Sequence, residues 1–127
     1  MVTVFYAALL GGALIYLITC VVRMRRDLKV AWGDGGNQDL MRQIRAHGNF
    51  VETVPMALIL MLIAELSMAP VWFLHLMGLM LVGARISHYI GHTRDGGILK
   101  YRIGGMAGTM GVYGLCGLYC LLSSLGF

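Results

Sequence analysis

The stretch QDLMRQIRAHGNFVETVPMALILMLIAELS, residues 38–67, decides the fold. Its second half is an almost unbroken apolar run, while its first half sets charged and amide side chains among apolar ones at helical spacing. At 1.5 Å per residue, about 30 residues make a helix of roughly 45 Å, against about 30 Å of hydrocarbon in a bilayer. The spacing predicts a membrane-crossing helix whose first turns, carrying Arg42 and Arg45, project into the headgroup layer. Pro55 is tolerated as a kink in such a helix. Glu65, near the far end, is expected to reach the interface.

The rest of the 127-residue chain agrees with this reading. It is 58% hydrophobic and 13% charged, with a mean hydropathy of +0.76. A soluble domain of that length would leave most of its apolar surface in water. Residues 1–22, 66–84 and 103–127 carry no formal charge. Spans are predicted at about 2–22, 38–67, 70–92 and 102–125, which makes the chain a single-domain, all-α membrane protein with a four-transmembrane-helix bundle. This composition excludes disorder, secreted disulfide scaffolds and large enzymes.

A net charge of +4 and a pI near 9.2 invite a nucleic-acid reading, but the positions of the charges argue against one. All ten basic residues fall in two blocks, Arg23 to Arg45 and Arg85 to Arg102, on either side of the uncharged stretch 66–84. Two basic loops on one side of a membrane face the cytoplasm by the positive-inside rule. The first apolar run has its basic residues after it, the reverse of a cleavable signal peptide, and is expected to remain as a span. Turns are expected at Trp32 to Asn37, with Asn37 or Asp39 as the next helix N-cap, at Ala69-Pro70, and at Asp95-Gly96-Gly97. Cys20, Cys116 and Cys120 lack metal-type spacing and read as packing residues. Gly104, Gly105, Gly108, Gly111, Gly114 and Gly117 let neighbouring helices approach closely, within the bundle or between subunits.

At 100° per residue Arg42, Arg45, Asn49 and Glu52 lie within about 80° of one another, so they share one helix face. A charge at the centre of a span costs roughly 2.5–3.5 kcal/mol on insertion scales. Glu52 therefore requires a partner or a polar cavity. One reading is a network of ion pairs that holds helices together; the other is a ladder, about 10 Å long from Arg45 to Glu52, that grips an elongated polar ligand. Arg85, His88, Tyr89 and His92 form a second cluster, at offsets of 0, 3, 4 and 7. Two histidines four apart suit a metal or haem, but His47 and His75 supply no matching ligands, so polar contact with a ligand or with the first stripe accounts for them better and no metal is expected. Arg102 alone reads as an interfacial anchor, and Arg23, Arg25 and Arg26 as topology-setting charges.

The motif R-x-x-x-N-x-x-E-x-x-P at Arg45, Asn49, Glu52 and Pro55 resembles the signature of the MAPEG superfamily, membrane-associated proteins in eicosanoid and glutathione metabolism. V-R-M-R-R after the first span and R-I-S-H in the third fit the same pattern in the same order, and the overall look is closest to small bacterial members. The resemblance covers nearly the whole chain. It implies a homotrimer in a bacterial inner membrane that binds reduced glutathione as co-substrate between neighbouring subunits, near the cytoplasmic face. Carried over by position, Arg45, Asn49 and Glu52 bind glutathione with Arg42 close by, and Arg23 joins from the end of the first span. Arg85 and His88 match polar positions of the third span, and His92 falls where eicosanoid-forming members have a tyrosine. Arg102 falls on the arginine thought in some members to stabilise the thiolate, with polar groups of the third span as candidates to assist.

Guanidinium groups suit the two carboxylates of the tripeptide and Glu52 suits its ammonium. A lipophilic electrophile dissolved in the bilayer then reaches the activated sulfur, giving transferase or peroxidase chemistry. Gly48, Ile103 and Met106 replace an arginine, a serine and a tyrosine of the prostaglandin-synthase branch, which points to a generic detoxifying activity. Two other functions stay open: a small proton-coupled membrane transporter, and a structural MAPEG-like protein whose chemistry has decayed.

Overall fold

A computed structural model describes residues 1–94 and 97–126. Four helices account for nearly all of them: α1 (Val2–Leu28), α2 (Gln38–Leu66), α3 (Val71–Thr93) and α4 (Leu99–Ser124). Each is long and apolar enough to cross a membrane. The spans expected from the sequence are all present. Two of them begin or end elsewhere: α1 continues six residues beyond position 22, and α4 starts three residues before position 102. Both extensions carry basic side chains, which hydropathy penalises although Arg and Lys are good helix formers in a polar headgroup layer.

The ends of the helices are closed by local hydrogen bonds. After α1 the chain turns through Lys29 in the left-handed conformation, with Lys29 N–H donating to Arg26 O at 3.2 Å and Val30 N–H to Arg25 O at 2.9 Å. Arg25 Nη1 donates to Gly33 O at 2.8 Å, so this arginine fastens the loop as well as carrying a charge. Asn37 is the N-cap of α2, its Oδ1 accepting from Leu40 N–H at 2.9 Å. The α2–α3 hairpin repeats the left-handed device at Met68, before Pro70 starts α3. The turn expected at Asp95-Gly96 lies outside the described residues. Gly97 has φ 67 and donates to Arg94 O at 2.8 Å.

α2 touches all three other helices, and α3 touches α1 and α4, whereas α1 and α4 do not meet. The core is built from Tyr6, Leu10 and Leu17 of α1, Phe50, Val54, Ala57 and Met61 of α2, Met77 and Leu81 of α3, and Val112 and Cys116 of α4. Large apolar side chains such as Ile15, Ile59, Leu79 and Leu118 cover the outside, as lipid requires. Lipid tails are as apolar as this core, so close packing and polar contacts hold the helices together. Gly105 shows how close: a Cβ there would lie 2.5 Å from Ala84 O and 2.6 Å from His88 Cβ. The three cysteines are free thiols, Cys116 fully buried in the core.

Glu65 does more than reach the interface. Its carboxylate accepts N–H bonds from Val2 and, at 2.9 Å, from Thr3, closing the first turn of α1 from another helix. Beside it the Tyr6 hydroxyl lies 3.1 Å from His75 Nδ1.

The α3–α4 contact gives a direct test. Gly105→Ala should destabilise the solubilised protein by about 1–3 kcal/mol, the usual cost of overpacking. Thermal unfolding in detergent measures it, and an unchanged Tm would show that the two backbones are farther apart than described.

Candidate functional site

The basic ends of the four helices lie together, and there the polar stripes of α2 and α3 separate into two groups. The first is internal. Arg85 of α3 is only 5% exposed, and its guanidinium is shared among four oxygens. Nη1 donates to Asn49 Oδ1 at 2.8 Å and Thr53 Oγ1 at 2.9 Å; Nη2 donates to Gly105 O at 3.0 Å and to Thr109 Oγ1. Thr53 Oγ1 in turn donates to Asn49 O at 2.7 Å, and the Tyr113 hydroxyl to Thr53 O at 2.6 Å. Among the described residues no carboxylate takes part. The charge is held by neutral oxygens from α2 and α4, which ties three helices at one point. Arg85 lines neither of the polar cavities described next, and His88 is buried beside it.

The second group is open. Arg45, Asn49 and Glu52 of α2, His92 of α3 and Arg102 of α4 surround a cavity of about 370 Å³, with Ile44 and Gly48 completing its wall. A neighbouring cavity of about 260 Å³ is lined by Met41, Arg42, Arg45, Gly91, His92, Gly97 and Arg102. Arg45, His92 and Arg102 therefore belong to both. The end of α3 and the start of α4 meet at Gly91, where a Cβ would lie 2.7 Å from Arg102 Cγ. That contact brings His92 and Arg102 to the same place. Asn49 connects the groups: Arg85 holds its oxygen, and its amide nitrogen lies 3.9 Å from Met106 Sδ.

Among the described residues the one salt bridge is Arg42 to Asp39, at 3.2 Å within the first turns of α2. Glu52, Arg45 and Arg102 are exposed in the subunit, and among the described residues none of them pairs with an opposite charge. A hydrogen-bond network that joins helices is thus present at Arg85 with Asn49. Of the sequence-predicted residues, Arg45, Asn49, Glu52, His92 and Arg102 converge and Arg42 joins them in the second cavity. Arg23 stands exposed at the end of α1 and lines neither cavity. Tyr89, placed by spacing with Arg85 and His88, turns instead to α1, its hydroxyl 3.4 Å from that of Tyr16. Those two tyrosines border an apolar groove of about 490 Å³ between α1, α2 and α3, with Leu9, Phe50, Val82 and Ile86. Sequence reasoning missed Thr53 and Thr109 as partners of Arg85. The signal was a threonine one turn beyond Asn49 and another one turn beyond Gly105, facing the helix that carries the arginine.

Among the described residues no three His, Cys, Asp or Glu side chains converge to hold a metal ion. His88 and His92 do meet, with ring centroids 4.6 Å apart.

Four membrane-length helices with a polar stripe on the second of them define a class. Residues 3–122 match the family model of the MAPEG family, and the chain belongs to that family. Inner membrane protein YecN of Escherichia coli strain K12 is 41% identical over 110 residues, which is 86% of this chain and 82% of the relative. The protein of the same name from Escherichia coli O6:H1 matches to the same extent. The chain is accordingly a multi-pass inner-membrane protein.

The Arg85 node predicts an asymmetry between two substitutions. Arg85→Lys keeps the charge but offers donors around a single nitrogen, which does not span oxygens on both α2 and α4. It should cost about 3 kcal/mol or more, because the charge stays buried with fewer partners. Thr109→Val removes one acceptor and should cost about 1–2 kcal/mol. Equal losses of Tm for the two variants would mean that the node does not join the helices.

Proposed function

We propose that the protein is a glutathione-dependent transferase or peroxidase, acting from within the membrane on lipophilic electrophiles or hydroperoxides. The observation that carries this reading is that Arg45, Glu52 and Arg102 gather around one cavity without neutralising one another. Unpaired charges at membrane depth are costly, and a ligand with complementary charges relieves the cost. Reduced glutathione has two carboxylates, one ammonium and a thiol, a set that matches two cavities bearing arginines and, among the described residues, a single carboxylate. Arg42 and Arg45 take carboxylate, Glu52 takes the ammonium, and Asn49 donates its amide hydrogens from the position Arg85 fixes. Arg102 stands at the junction and favours the thiolate by charge; a free thiol with pKa about 8.5 is only a few per cent ionised at pH 7.

The exposure of Glu52 and Arg45 in the isolated subunit supports a homotrimer, in which a neighbour covers the site and brings Arg23 to it. MAPEG membership supports the same reading. The activity is then detoxifying, with the site on the basic, cytoplasmic side. A proton-coupled transporter is the second reading, favoured by the unpaired Glu52 in a span; substrate-dependent proton flux in liposomes supports it over the first.

Calorimetry of the purified protein with glutathione tests the proposal. Saturable heat is expected in the millimolar range or tighter, and its absence refutes the site. Glu52→Gln should weaken binding about tenfold, equivalent to about 1.4 kcal/mol; an unaltered Kd would make Glu52 structural. Arg102→Leu should retain binding but lose most of the ultraviolet absorbance of bound thiolate. Unchanged absorbance and turnover would remove Arg102 from the mechanism.

A further inference from the structure

The geometry points to His92 as the group that receives the thiol proton of glutathione; this rests on the proposed glutathione site. Two cavities meet at a junction formed by Arg45, His92 and Arg102. Among the described residues the outer cavity is lined by three arginines and no carboxylate, and suits an anionic end of the ligand. The inner one holds Glu52, and suits a cationic end. A tripeptide that places a carboxylate in one and its ammonium in the other has its middle residue at the junction, and in glutathione the middle residue is cysteine. The thiol then faces His92 and Arg102 together.

The two side chains divide the work. A guanidinium holds a negative sulfur but stays protonated in proteins and accepts nothing. An imidazole accepts a proton on its free nitrogen. The S–H bond breaks, its electron pair stays on sulfur beside Arg102, and the proton moves to an imidazole nitrogen of His92. When sulfur bonds to an electron-poor carbon of the acceptor, the pair displaced onto the acceptor takes the proton back and His92 is neutral again. Among the described residues, the titratable and charged groups that stack on His92 or share its cavities are His88 on its own helix, Arg42, Arg45 and Glu52 from α2, and Arg102 from α4. The three arginines oppose an imidazolium until an anionic sulfur arrives beside it, while Glu52 is occupied by the ammonium of the ligand. Proton transfer is thereby linked to occupation of the site. His88 lines neither cavity, so it supports the ring of His92 from behind.

The test counts protons. Glutathione is added to the purified protein in weakly buffered indicator solution near pH 7, while bound thiolate is followed by its ultraviolet absorbance. If His92 holds the proton, well under one proton appears in solution per thiolate formed. One proton released per thiolate overturns the proposal, and needs no variant to show it. His92→Gln should bind glutathione within about threefold of the parent yet lose at least tenfold in thiolate at pH 7, recovering it only as the pH rises toward the ordinary thiol range. Thiolate formation and turnover unchanged in His92→Gln also overturn it. These failures leave calorimetric binding intact and concern His92 alone, whereas absence of binding by the parent protein removes the site and this role together.

Discussion

A guanidinium sunk in a membrane protein and surrounded by neutral oxygens sets the terms for everything around it. Arg85 finds its partners on α2 and α4 without a carboxylate, so the charge is dispersed over Asn49, Thr53, Gly105 and Thr109 rather than cancelled. Dispersal demands several oxygens at once. Those oxygens arrive only when α3 and α4 approach closely, which the missing side chain at Gly105 permits. The polar cavities are therefore by-products of helix packing: the same crossing that satisfies Arg85 brings the end of α3 to the start of α4, and with it His92 to Arg102.

The division between Arg85 and its neighbours also separates support from chemistry. Arg85 has both terminal nitrogens engaged. Among the described residues, Arg45, Glu52 and Arg102 form no ion pair. Asn49 belongs to both groups, since its oxygen is fixed from the interior while its amide borders the cavity. A substitution at Arg85 is accordingly felt in the cavity through Asn49, without Arg85 touching what binds there.

The architecture was legible in the sequence because lipid imposes a coarse rule: long uncharged runs become spans and basic blocks mark loops. The helix faces of Arg45, Asn49 and Glu52 followed from period alone. Other features could not be read in this way. Periodicity says which face a residue is on, but not which neighbour that face meets, so Arg85 and Tyr89 were grouped although one turns to α4 and the other to α1. The partners of Glu65 were hidden because they are backbone groups, which carry no residue signature. Thr53 and Thr109 were overlooked since a hydroxyl in an apolar helix ordinarily bonds back to its own preceding turn, as both also do here.

The carboxylate that closes the first turn of α1 belongs to a residue 62 positions after Thr3, at the opposite end of the following helix. During synthesis those amides reach the far side of the bilayer well before their partner has been made. The first turn of α1 is therefore satisfied only when α2 has crossed as well, which makes the two helices one folding unit from that point. Glu65 thereby ties the outer ends of α1 and α2 together, across the bilayer from the loop that connects them.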